Sequence, residues 1–315
     1  MNLIKWKEAY QEGLVGKHPY IKEMHYYHQL LFDYAELIKG TDIKSIEITD
    51  GQVMITTRSE GIKIYGNPVD KRIPPFEIMN FNNVEYPDYE MVMNLTEDGM
   101  TIFDIGANVG WYSLNLAKKY PWSHIYAFEP VPKTFKDLQK HIALNGLTNI
   151  TSFNFGFSDE EGTVDFYYYP EDSGNASMTN VSGYTNVEKI SGQVWKMDRF
   201  VHENNTHPDF IKCDVEGAEL LVFSGGLKTI ERDKPIIFTE LLRIWSAKFG
   251  YHPDEVIRLL KSVGYRCFSA EGNNLREFFV ITERTIEKTF FFLHAQKHKE
   301  LINKYKEIKN ETGIL

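Results

Sequence analysis

Apolar positions recur at helical spacing through residues 1–40, where Tyr27, Leu30, Leu31, Tyr34, Leu37 and Ile38 fall on one face. From residue 43 to 66 the pattern switches to strict alternation. Ile46 and Ile48 precede an Asp50-Gly51 turn, Val53 and Ile55 follow it, and Glu60-Gly61 leads to Ile62 and Ile64. Asp-Gly between alternating runs is a strong hairpin signal, so a small antiparallel meander is expected here. Pro68, Pro74, Pro75 and Pro87 mark an irregular crossing to a helix over 88–98. Strands and helices then alternate. A short apolar run ends at Asp104, a helix covers 112–120, a strand 123–128 and a helix 133–145 that stops at Asn145-Gly146. Strands are expected over 150–157 and 163–169, a polar loop over 170–186, and strand-like runs over 187–197, 209–214 and 235–241. A helix from Asp254 to Gly264, with Val256, Ile257, Leu260 and Val263 inward, leads to an antiparallel pair over 265–270 and 276–282. Residues 286–309 read as a C-terminal helix with a Lys/Glu-rich solvent face.

This order predicts an α/β fold, a mainly parallel sheet with helices on both faces. Three parts follow: an N-terminal helical and β-hairpin appendage over 1–85, a core over 86–285, and the C-terminal helix over 286–315. The appendage is expected to cover the core or to join copies of the chain, with covering the favoured role. In such sheets ligands bind beyond the strand carboxyl ends, where the strand order reverses. That places Asp104, Glu129, Asp159, Asp214 and Glu240 on one rim, since each follows a predicted strand.

The turn Asp104-Ile-Gly106-Ala-Asn108-Val-Gly110-Trp111 decides the ligand. A dinucleotide turn requires G-x-G-x-x-G, and its second and third glycine positions are here Asn108 and Trp111. What remains is an acid at a strand end and a glycine turn without a phosphate cradle, which suits a ligand carrying an ammonium group. A second acid, Glu129, ends the next strand 19 residues beyond Gly110, where a ribose diol is gripped. The pair points to S-adenosylmethionine. Asp104 and the Gly106, Asn108 and Gly110 turn are expected to hold its methionine end, Glu129 its ribose, and Ser158 with Asp159 its adenine edge. Asp214 borders the sulfonium.

Phe103-Asp104-Ile-Gly106-Ala-Asn108-Val-Gly110, Tyr126-Ala-Phe-Glu129-Pro130 and Phe210-Ile-Lys-Cys-Asp214-Val-Glu216-Gly217-Ala-Glu219 together resemble the FkbM-type methyltransferases. The resemblance runs over residues 86 to 283, and the Asp-Val-Glu-Gly-Ala-Glu run is its most specific part. It implies a Rossmann-like, seven-stranded, mostly parallel sheet of the class I methyltransferase type. It also implies S-adenosylmethionine as donor and O-methylation of sugars, glycans or related polyhydroxylated metabolites. The loop Ser173-Gly-Asn175-Ala-Ser177-Met-Thr179 resembles the family's small polar loop, so Asn175, Ser177 and the nearby Glu216 are expected to meet the acceptor.

Methylating an alcohol requires in-line alignment and removal of a proton. Asp214 and Glu240 end neighbouring strands and form the candidate catalytic pair, acting as base or as ligands of Mg²⁺. With only two ligands apparent, and Leu241-Leu242 following Glu240, a metal-free reaction is preferred. His252 is the histidine best placed to act as base. Glu219 reads as a solvent-facing residue of the following helix.

Charge and composition narrow the partners. A net charge of −9 and no basic stripe argue against nucleic acid. No apolar run reaches membrane-spanning length, and the N-terminus lacks the apolar core of a signal peptide, so a cytoplasmic protein is the default. The two cysteines, Cys213 and Cys267, read as small core residues rather than a disulfide or metal pair. The competing readings are a lipid, peptide or phosphoramidate acceptor, a non-catalytic S-adenosylmethionine-binding partner, and a nicotinamide-dependent oxidoreductase that the missing glycines disfavour.

Overall fold

The computed structural model describes residues 2–82, 86–181, 183 and 185–306. Helices Leu3–Gln11 (α1) and Lys17–Leu37 (α2) come first, and α2 buries none of its residues. The meander follows as Ile43–Thr49 (β1), Gln52–Thr57 (β2) and Lys63–Tyr65 (β3), paired antiparallel in that order. Asp50 and Gly51 adopt φ of 48° and 75°, the left-handed pair that a two-residue hairpin turn needs. Pro74–Phe81 (α3) and Asp88–Leu95 (α4) then cross to the core.

The core begins with Thr101–Ile105 (β4), Trp111–Lys119 (α5), His124–Phe128 (β5), Pro132–Asn145 (α6) and Ile150–Phe153 (β6). Gly156–Phe157 (β7), Gly162–Tyr168 (β8), Glu188–Trp195 (β9) and Met197–Asn204 (α7) come next. Phe210–Cys213 (β10), Glu219–Gly225 (α8), Leu227–Asp233 (α9), Ile236–Glu240 (β11), Arg243–Ser246 (α10) and Asp254–Ser262 (α11) follow. Tyr265–Glu271 (β12), Asn274–Phe278 (β13), Thr289–His294 (β14) and Lys299–Tyr305 (α12) complete the described chain.

The main sheet has eight strands in the order β13-β12-β14-β11-β10-β4-β5-β6. The run β11-β10-β4-β5-β6 is parallel throughout, and β14 runs against both of its neighbours. From β4 the chain winds outward one way to β6 and then restarts the other way at β10. The crevice between the β4 and β10 tips is therefore the switch point at which ligands bind. The sheet is the expected Rossmann-like arrangement with one added edge strand, β13.

Three local expectations are corrected. The segment predicted as a C-terminal helix over 286–309 contains β14, inserted between β12 and β11. Phe290, Phe291, Phe292 and Leu293 are all buried, and a run buried on both faces has neither helical nor alternating period. The Lys/Glu-rich helix shrinks to α12, and residues 307–309 lie outside the described residues. The single strand expected over 150–157 divides at Asn154, whose side-chain amide donates to Glu129 O (2.9 Å) and Pro130 O (3.2 Å). Its two halves join different sheets, for β7 pairs with β9 beside β8 in a three-stranded sheet. The last predicted strand, over 276–282, ends earlier, at Phe278.

Burial explains the frame. Phe103, Phe128 and Phe200 pack edge to face at centroid distances of 5.0–5.8 Å on one side of the sheet, and each contributes roughly 2–3 kcal/mol by leaving water. The meander is bound to α6 by polar contacts as well. Asn145 exchanges hydrogen bonds with the backbone of Lys63 at 2.8 Å each way, and Tyr65 N donates to His141 Nε2 at 3.2 Å. That bond fixes the His141 tautomer, so Nδ1 donates to Val109 O (2.9 Å), and burial holds the imidazole below its usual pKa.

Gly106 holds the turn under the β10 tip. Its φ is +75°, and a Cβ there would stand 1.9 Å from Asp214 O. Gly106→Ala is therefore expected to cost about 3 kcal/mol or more. Urea denaturation checks this, and an unchanged midpoint would show that the turn yields without penalty.

Candidate active site

β4 and β10 lie side by side with Lys212 directly opposite Asp104. Lys212 is buried, and its ammonium donates to Gly106 O (2.8 Å) while standing 3.3 Å from Asp104 Oδ1 and 3.8 Å from Asp214 Oδ2. The other Asp104 oxygen accepts Ser113 N at 3.1 Å and Ser113 Oγ at 2.6 Å. Asp104 is thus wholly inside the protein and does not line the central cavity. Asp104, expected to meet the donor's ammonium, has the ammonium of Lys212 beside it. A lone lysine in the apolar run Phe210-Ile-Lys-Cys was the available signal for it.

The cavity beyond the strand tips measures about 630 Å³ and is lined by Gly106, Asn108, Glu129, Asp214, Glu216 and Glu240 among others. Glu129 is 5% exposed; its two oxygens accept Asn108 N (3.0 Å) and Val131 N (2.9 Å). Each carboxylate oxygen takes two donors, so one acceptor site per oxygen remains. Burial pushes this carboxyl up to about 7, with the two backbone N–H groups and the Lys212 charge pulling the other way.

Asp214 follows β10 and Glu240 ends β11, and the parallel pairing of Cys213 with Thr239 sets the two acids side by side. Glu216 joins them from the turn between β10 and α8. One oxygen of each of the three lies within 4.8 Å of the others. The turn is braced from behind: Ser177 Oγ donates to Glu216 O (2.8 Å), and Tyr251 OH donates to Gly217 O (2.8 Å). Glu219 accepts Gly217 N at 3.0 Å and is buried. Burial, above the Asp214 and Glu240 charges, holds the Glu216 carboxyl well above the usual range.

Several sequence-predicted residues stand elsewhere. Ser177 is buried and does not line the cavity; it anchors the Glu216 backbone, whereas Asn175 does line the cavity and donates to Asp172. Glu219 faces the interior rather than solvent, because the turn's N–H groups need an acceptor. His252 lies at the start of α11 with 42% of its side chain exposed, 3.4 Å from Asp254, and does not line the cavity. Ser158 and Asp159 pair with each other at 3.2 Å just behind Phe157, which does line it. Cys213 and Cys267 are buried and unpaired.

The appendage supplies one wall. Pro74, Glu77 and Phe81 of α3 face the cavity, as does Arg72, which is 3.5 Å from Glu77 and 3.9 Å from Asp172. Ser173 Oγ donates to Asp70, and Lys71 N donates to Glu171 O at 2.9 Å, tying this segment to the loop after β8. No sequence signal marked Arg72. A second, more apolar cavity of about 680 Å³ lies between the meander and α6, with Tyr65, Phe76 and His141 in its lining. Among the described residues no helix is long and apolar enough to cross a membrane.

A strand-order reversal beside a glycine turn, with acids at successive strand tips and no phosphate cradle, is the architecture of a S-adenosylmethionine-dependent methyltransferase. The particular family follows from sequence. The profile of the methyltransferase FkbM domain matches residues 104–267, a span holding the glycine turn, Glu129 and all three clustered carboxylates. The chain belongs to the FkbM methyltransferase family. "Methyltransferase 1" of Beauveria bassiana (strain ARSEF 2860) is 26% identical over 185 residues, covering 53% of this chain and 73% of its own. The "2-O-methyltransferase NoeI" of Sinorhizobium fredii (strain NBRC 101917 / NGR234) is 26% identical over 166 residues, 48% of this chain and 67% of its own. The crystal structure of methyltransferase FkbM from Methylobacillus flagellatus KT aligns with a TM-score of 0.44 at 17% identity, covering 69% of this chain and 53% of that one. This chain thus spans about half the length of that solved relative.

The raised Glu129 carboxyl has a measurable consequence. In the folded state it holds its proton up to about 7, whereas in the unfolded chain it titrates in the ordinary carboxylate range. The stabilisation is therefore complete at low pH and is lost as pH rises through about 7. Between pH 5 and 8 the ligand-free protein should lose on the order of 1–3 kcal/mol more stability than Glu129→Gln does. Parallel urea series test this; identical slopes for the two proteins would contradict it.

Proposed function

We propose that this protein transfers the methyl group of S-adenosylmethionine to a hydroxyl of a sugar, glycan or related polyhydroxylated small molecule. The carrying observation is the meeting of Asp214, Glu216 and Glu240 at the cavity floor, next to the glycine turn. In an in-line displacement the acceptor oxygen forms a bond to the methyl carbon, the carbon–sulfur bond breaks, and its electron pair returns to sulfur. The hydroxyl proton must leave at the same time, and a carboxylate of this cluster is the nearest acceptor. The cluster's negative field also favours a sulfonium at that position.

Within this reading Glu129 takes the two ribose hydroxyls with its remaining acceptor sites, and Gly106 to Gly110 carry the methionine end on bare backbone. The adenine fits between Pro130 and Phe157, with Ser158 and Asp159 adjoining in sequence. Asp104 contributes by shaping the turn through Lys212. Asn175, Arg72 and Glu77 present polar groups to the other end of the cavity, where a polyol has matching donors and acceptors. The relative named as a 2-O-methyltransferase supports oxygen as the acceptor atom.

Two measurements test this reading. Glu129→Ala removes a charged partner from both ribose hydroxyls, so S-adenosylmethionine affinity should fall at least tenfold by calorimetry, about 1.5–3 kcal/mol. Unchanged affinity would remove Glu129 from the site. Incubation of nucleotide sugars and glycans with a methyl-labelled donor should yield an O-methylated product by mass spectrometry. Label appearing only on nitrogen, or only on lipid or peptide acceptors, would overturn the acceptor class.

A further inference from the structure

We propose that Asp214, Glu216 and Glu240 form a binding site for a divalent cation of the Mg²⁺ type, with Glu216 as the ligand that completes it. The role assigned to the cation rests on the methyl-transfer reading; its binding does not. Two carboxylates on neighbouring strand tips are a weak case for a metal, but three are not. One oxygen from each lies within 4.8 Å of the others. Oxygens sharing one cation at bond lengths of about 2.0–2.6 Å stand roughly 3 to 5 Å apart, so small side-chain rotations suffice.

A second observation is independent of that clustering. Glu216 is 8% exposed, and its Oε2 has no hydrogen-bond partner among the described residues; the buried Oδ1 of Asp214 has none either. Buried carboxylate oxygens are normally satisfied, because leaving one bare forfeits its hydration without replacement. Two cations of the cavity wall, Lys212 and Arg72, have nearer acceptors than these oxygens. Lys212 donates to Gly106 O and sits closer to Asp104 than to Asp214, and Arg72 lies between Glu77 and Asp172. A hard divalent cation supplies the missing positive charge and takes the bare oxygens as ligands.

Three protein oxygens leave about three positions of an octahedron for water or substrate. Those positions face the cavity, so an acceptor with neighbouring hydroxyls can replace waters there. A hydroxyl bound in this way would lose its proton more readily, the proton passing to a carboxylate oxygen of the cluster that the cation leaves free, and the cation would fix the hydroxyl's direction of approach. The acceptor favoured by such a site is a vicinal diol rather than an isolated alcohol.

Mn²⁺, followed by electron paramagnetic resonance as it is added to the full chain, reads this site without turnover. One saturable site per chain is expected, displaced by Mg²⁺. Glu216→Gln and Glu240→Gln should each weaken it at least tenfold, with melting temperatures no lower than the parent's because like charges are relieved. The exposed Glu271→Gln should leave it unchanged. Absence of saturable Mn²⁺ binding, or equal affinity in parent, Glu216→Gln and Glu240→Gln, would overturn the proposal. Neither result depends on whether methylated product forms, so the two readings fail separately.

Discussion

The site is organised by one buried lysine. Lys212 stands in the middle of the parallel sheet, opposite Asp104, and touches the glycine turn through Gly106 O. Asp104 has no solvent of its own, so an ammonium beside one oxygen and the two Ser113 donors on the other are what allow an acid near the C-terminal end of β4. Removing one member of such a buried pair typically costs about 3–5 kcal/mol. The same contact ties the β4 tip to the β10 tip, and the close approach of Gly106 to Asp214 O completes the junction. The crevice that a ligand enters is the open side of this junction.

Charge is divided accordingly along the rim. The lysine attends chiefly to Asp104, which leaves Asp214 and Glu240 as a negative patch facing the cavity, with the Glu216 carboxyl beside them. Glu129, on the other side of the turn, is held by two backbone N–H groups and keeps free acceptor sites. A cationic, ribose-bearing methyl donor matches that division at both ends. The appendage lines the far side, and its links to the loop after β8 hold that wall in place.

Much of this was legible in the sequence, for local reasons. Asp50-Gly51 dictated its hairpin through left-handed backbone, and the glycine turn and Glu129 declared themselves by spacing alone. Features set by tertiary neighbours were not legible. The Phe290 to Leu293 run has no period that separates buried strand from helix, so β14 was assigned to the wrong element. Glu216 and Glu219 read alike on the page. Only the fold shows one presented to the cavity and the other turned inward to cap the turn by accepting Gly217 N, with Tyr251 OH 3.2 Å away. Ser177 and His252 lie outside the cavity lining, which sequence spacing does not show, and Arg72 enters from a segment whose path proline spacing does not reveal.

The central claim is that the crevice between the β4 and β10 tips is the donor site, with its sulfur end toward the three carboxylates. A crystal structure of the full chain with S-adenosylhomocysteine tests this most directly. The expected result is a ribose diol within hydrogen-bonding distance of both Glu129 oxygens and a sulfur on the Asp214, Glu216 and Glu240 side. Homocysteine pointing away from those acids, or the ligand seated instead in the apolar cavity beside Tyr65 and His141, would contradict it.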